Sequence, residues 1–96
     1  MIEEGRPLPP ARTSQFKRDL ARCMRRGYDM DVARVVMGRL IHRERLAESH
    51  RDHPLRGEWR GHRECHLSAD WLLVYRVEDQ VITFERTGTH ADPLDE

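Results

Sequence analysis

Apolar positions follow two different spacings along this chain. From Ser14 to Ile41 they recur at helical intervals, and from His62 to Thr87 they come in short runs rich in β-branched residues. Ser14 can cap a first helix, with Phe16, Leu20, Cys23 and Met24 at i, i+4, i+7 and i+8. Arg25 and Arg26 suit its last turn, where the helix dipole favours cations, and Gly27 suits its stop. Asp29 then caps a second helix whose stripe is Val32, Val35, Val36, Leu40 and Ile41. The break at Gly27-Tyr28-Asp29 folds the pair into an antiparallel hairpin, and its apolar stripe needs a sheet to cover it.

The later runs are His62–Leu67, Trp71–Val77 and Val81–Thr87, separated by Ser68-Ala69-Asp70 and Glu78-Asp79-Gln80. Links this short allow only antiparallel pairing, because a parallel crossover takes about a dozen residues or more. The lead-in Met1–Ala11 holds Pro7, Pro9 and Pro10, and a short strand is expected around Pro10–Thr13. Leu46–Gly61 reads as a loop-like connector and Ala91–Glu96 as a short polar tail. The expected architecture is α+β, one domain over residues 1–96. Two N-terminal antiparallel helices pack on a mainly antiparallel four-stranded sheet, with the N-terminal strand completing the meander.

Register arithmetic gives this sheet a polar row. Pairing Val77 with Val81 sets Trp71 opposite Thr87 and Leu72 opposite Arg86, while pairing Leu67 with Trp71 sets His66 opposite Leu72. His66, Leu72 and Arg86 then share one face, with the outer two about 10 Å apart, room for a ligand. Asp70 and Trp71 lie at the same end, and His90 follows just beyond it.

Charge changes this picture little. The net charge is zero, with 17 Lys+Arg against 17 Asp+Glu, although Arg12 to Arg63 holds 14 basic and 7 acidic residues. Those cations are read as the solvated sides of the helices rather than a dedicated nucleic-acid surface. Cys23 and Cys65 form no CxxC pattern, so buried thiols are expected rather than a disulfide. No signal peptide or membrane span is expected, and the reading is a cytoplasmic protein.

Six histidines make metal the first chemistry to test. His62 and His66 would share a metal on a helix, but on a strand their Cα atoms stand about 13 Å apart. Cys65 points to the opposite face from His66, and His50-x-x-His53 lacks companions, so neither a metal nor a cofactor is expected. His66, Asp70, Arg86 and His90 suit acid–base chemistry instead. Such a set fits phosphodiester transfer in RNA. One group takes the 2′-OH proton, another protonates the leaving 5′-oxygen, and the guanidinium meets charge on the phosphoryl oxygens. Trp71 at the same edge would stack on an unpaired base, although each residue taken singly has a plain structural explanation.

Five blocks, in order, carry a resemblance. They are D-H-P-L at Asp52–Leu55, G-x-W-x-G at Gly57–Gly61, R-E-C-H at Arg63–His66, D-W-L-L-V-Y at Asp70–Tyr75, and F-E-R-T-G-T-H at Phe84–His90. Together they resemble the YafQ branch of the RelE/ParE toxin superfamily. The resemblance implies a RelE-like fold and a ribosome-dependent mRNA endoribonuclease neutralised by a cognate antitoxin, touching DNA only through that antitoxin. It sets the catalytic pattern on His53, His66, Asp70, Arg86 and His90, and RNA contacts on Trp71 and Leu94. His53 enters by the resemblance alone. Leu94 stands where the family tends to carry an aromatic, so it can pack but offers no π-face. Two other readings compete: a ParE-like toxin acting by contact, and an inactive antitoxin-binding module. A binding poison has no need of the His/Asp/Arg set.

Overall fold

The computed structural model describes residues 5–89. The chain begins with β1 (Pro10–Arg12), α1 (Ser14–Arg25) and α2 (Met30–Ile41). The connector follows, with two 3-10 turns, Glu48–His50 and Gly57–Trp59, flanking β2 (His53–Pro54). The meander is β3 (Arg63–Ser68), β4 (Trp71–Glu78) and β5 (Val81–Gly88). One sheet runs β1-β5-β4-β3-β2, with β1 parallel to β5 and the other pairs antiparallel. The sheet therefore has five strands rather than the expected four. The extra one lies in the connector, where two residues are too few to leave an alternating pattern.

Thr13, not Ser14, caps α1, accepting the Phe16 N–H at 2.9 Å, while Asp29 caps α2 through the Asp31 N–H at 2.9 Å. Gly27 follows α1 with a φ of +88°, a left-handed turn that favours glycine. The helices cover one face of the sheet. Phe16, Cys23, Val36 and Leu40 meet Cys65, Leu67, Leu73, Ile82 and Phe84 in the main core. Phe16 and Phe84 rings lie 5.8 Å apart. The helical stripes differ in detail from the expected ones. Met24 and Val35 are exposed, and Asp19, Ala33 and Met37 face inward.

The connector covers part of the other face, where Leu72 and Val74 pack with Leu55 and Trp59. A carboxylate ties it down. Asp52 accepts the Tyr75 hydroxyl at 2.7 and 2.8 Å through its two oxygens, and Arg63 Nε at 3.1 Å. Burial first, and then Asp52, pushes the Tyr75 pKa well above the ordinary phenol value.

The meander is confirmed but its register is corrected at three places. The β4–β5 turn is two residues, Asp79 and Gln80, both left-handed with φ of +54° and +62°, so Glu78 pairs with Val81. This is the primed hairpin turn whose twist matches that of the flanking strands. A bulge at Glu85 then shifts the ladder again, pairing Val74 with Arg86 and Leu72 with Gly88. In β3 a second irregularity at Leu67 pairs Ser68 with Trp71 while keeping His66 opposite Leu72. The expected row His66–Leu72–Arg86 is thus replaced by His66–Leu72–Gly88.

Candidate active site

Two adjacent rows cross the sheet on the side of Leu72 and Val74. One is His53–Glu64–Val74–Arg86, running over β2, β3, β4 and β5, and the other is His66–Leu72–Gly88. The turn shift and the bulge each move β5 by one residue, so Arg86 advances two positions and keeps its side-chain parity. Four of the sequence-predicted positions therefore gather near one end of the sheet: His53 and Arg86 in one row, His66 in the next, and Asp70 exposed in the β3–β4 turn. His90 and Leu94 lie outside the described residues, but Gly88 and Thr89 bring the chain to the end of the His66 row.

His53 is half exposed, with Nε2 3.3 Å from Glu64 Oε1 and Nδ1 donating to the Pro54 carbonyl at 3.1 Å. The short β2 pairing holds it there, together with the Asp52 anchor one residue earlier. His66 is fixed through its backbone, whose carbonyl accepts His50 Nδ1 at 2.6 Å. Arg86 does not project freely from the sheet. Asp19 of α1 accepts its Nε at 2.7 Å and its Nη2 at 3.3 Å. The same carboxylate takes the Thr87 backbone N–H at 3.1 Å. Along β5 the open edge beyond Arg12 is thus occupied by α1: Thr13 bonds Phe84 and Glu85 carbonyls, and Asp19 follows.

Trp71 is a second correction. It is 2% exposed, lies in the main core and meets Tyr28 edge-on at 5.0 Å, so its ring is not a surface on which a base stacks. A pocket beside it is lined by Tyr28, Asp29, Val32, Ser68, Asp70 and Trp71. Among the described residues no group of three or more His, Cys, Asp or Glu is arranged to hold a metal ion. Nor is any described helix long and apolar enough to cross a membrane.

Sequence reasoning missed Glu64, the carboxylate beside His53, and Asp19, the partner of Arg86. Glu64 sat in view two residues before His66, on the same strand face. Asp19 lies three residues after Phe16 and four before Cys23, on the buried stripe of α1. A charge on an apolar stripe demands an oppositely charged partner, and that signal was available.

A helical hairpin on one face of a small mixed sheet, with histidine, carboxylate and arginine positions gathered at one end, is the RelE-like toxin architecture. Residues 8–95 match the model of a family described as bacterial toxin of type II toxin-antitoxin system, YafQ. The chain belongs to that family. It is 39% identical over 80 residues to the mRNA interferase toxin YafQ of Escherichia coli K12, covering 82% of this chain and 87% of that protein. The crystal structure of YafQ from E. coli BL21(DE3) superposes with a TM-score of 0.85 at 35% identity, covering 91% of this chain and 97% of that one. YafQ in the E. coli DinJ–YafQ toxin–antitoxin complex gives 0.81 at 36% identity, over 91% and 94% of the two chains.

Proposed function

We propose that this toxin is a metal-independent mRNA endoribonuclease that cuts message on the ribosome and is held inactive by a cognate antitoxin. The observation that carries the reading is the gathering of His53, His66, Asp70 and Arg86 at one end of the sheet, where the chain toward His90 also arrives. The kinship with a protein named mRNA interferase toxin, and with one crystallised as a toxin–antitoxin complex, supports it.

In the proposed reaction the ribose 2′-oxygen attacks the neighbouring phosphorus. The new O2′–P bond forms as the P–O5′ bond breaks, leaving a 2′,3′-cyclic phosphate and a 5′-hydroxyl. His66 and Asp70 orient the 2′-OH and take its proton, with His53 assisting beside Glu64. His90 protonates the departing 5′-oxygen, and Arg86 meets the charge on the nonbridging oxygens. The nucleophile is the RNA itself, so no metal-activated water is required. Leu94 is assigned an RNA contact by its place in the sequence pattern. Because the chain carries no net charge, it holds phosphate backbone weakly, and the ribosome supplies positioned mRNA. Its place of action is the cytoplasm, with DNA approached only through the antitoxin.

The test is cleavage of mRNA in a ribosome-containing reaction by wild type and by His90→Ala. Removing an acid–base group should slow cutting about 10²–10⁴-fold, with circular dichroism and antitoxin binding unchanged. Efficient cutting of naked RNA at low protein concentration would contradict ribosome dependence. A folded His90→Ala protein that cuts at wild-type rate moves the acid to His53 or His66.

A further inference from the structure

Asp19 is the carboxylate that this reaction scheme does not use. It is 0% exposed, yet it collects donors from four residues. Gln15 Nε2 donates to Oδ1 at 3.0 Å and Arg22 Nη2 at 3.3 Å, both from its own helix. From β5 come Arg86 Nε at 2.7 Å, Arg86 Nη2 at 3.3 Å and the Thr87 N–H at 3.1 Å. Two-pronged bonding fixes the guanidinium plane and its angle about the long side chain. Nη1 makes no hydrogen bond among the described residues, which leaves that arm to reach a ligand. The strand is fixed at the same point. Thr87 Oγ1 donates to the Leu72 carbonyl at 2.7 Å, and His90 follows Thr87 by three residues.

We infer that Asp19 is a positioning residue for cleavage: it aims Arg86 at the scissile phosphate. The inference rests on the RNA-cleaving function proposed above. Stability alone is a poor account of the pair, because a buried carboxylate–arginine pair contributes little over apolar residues of the same volume. Helix and strand already meet through Phe16 and Phe84. What the pair adds is orientation of a side chain that otherwise has many rotamers, and orientation matters most where a transition state must be met.

The test compares wild type, Asp19→Asn, Arg86→Gln and the double variant at saturating ribosome-bound mRNA, with KM measured separately. In Asp19→Asn the side-chain amide keeps an oxygen for the Thr87 N–H but loses the charge that holds the guanidinium. The cleavage rate should fall about 10–100-fold in Asp19→Asn, the scale of a misaimed catalytic group, with KM unchanged. In the Arg86→Gln background the same substitution should change nothing further. A folded Asp19→Asn protein with wild-type rate overturns the inference, as does an effect of equal size with and without Arg86. Should Asp19→Asn fail to fold, the Arg86 Nε–H resonance of wild type decides: a sharp, exchange-protected signal is expected, and an averaged one overturns the inference. The function reading fails separately, through a wild-type arm that does not cut at all.

Discussion

Tyr75→Phe tests the tie that holds the connector, and with it His53, against the sheet. Tyr75 is buried among the core residues, and its hydroxyl donates to Asp52, lying 2.7 and 2.8 Å from the two carboxylate oxygens. A hydrogen bond to an ionised group contributes about 1.5–3 kcal/mol. The lower end applies here, because the Asp52 side chain is 25% exposed and keeps Arg63 at 3.1 Å, so water can replace the lost donor. Deleting one oxygen leaves the ring packed, which adds no appreciable cavity cost. In a domain of this size each kcal/mol moves Tm by about 4–8 °C, so about 1.5 kcal/mol lowers it by roughly 6–12 °C. Thermal unfolding followed by circular dichroism measures this directly. Denaturant titration should show a lower midpoint with an unchanged slope. Asp52→Ala should cost more, about 3 kcal/mol, since it strands the buried Tyr75 hydroxyl as well as Arg63. A Tyr75→Phe protein melting within a degree or two of wild type would refute the argument, and the connector would have to be held by Arg63, the β2 pairing and the packing of Leu55 and Trp59.

Burial, with Asp52 and Glu64 adding to it, pushes the Cys65 thiol up from 9.0 to about 12. The folded protein keeps a proton that the unfolded chain releases, so stability is full below pH 9 and declines as pH rises toward 12. Replacing Cys65 with Ala should flatten that alkaline limb in pH-dependent denaturation, even from a lower baseline. Gln80→Gly should raise Tm by about 4–8 °C, because a left-handed non-glycine residue costs about 1 kcal/mol or more. An unchanged Tm would mean that Gln80 gains compensating contacts. Trp71→Ala should destabilise by about 3–5 kcal/mol as a core truncation. Trp71→Phe should fold and still cleave in the ribosome assay. A folded but inactive Trp71→Phe protein would return Trp71 to RNA contact.

The helices and the meander were legible in the chain because each rests on local information. Period 3.6 over Phe16–Cys23 and Val32–Ile41, a cap read one residue late at Ser14 and another at Asp29, and links too short for a crossover leave few other folds. Alternation within a strand is local in the same way, whereas Arg86 shares a face with His66 and Leu72 only because the two shifts of β5 add to an even number. What failed was the register between β4 and β5, which cross-strand fit decides. The two-residue turn and the bulge at Glu85 leave no sequence period behind, yet together they move Arg86 from the His66 row into that of His53 and Glu64. Two residues of the connector pair with β3 beside the contact of Asp52 with Tyr75, 23 positions away. Asp19 meets Arg86 across 67 positions, and Trp71 is covered by Tyr28 from the helical hairpin. Spacing along the chain determines which residues share a helix face or a strand face. Which of them touch is decided by the packing of helices on the sheet, where burial brings Asp19 to Arg86 and Tyr28 to Trp71 from distant parts of the chain.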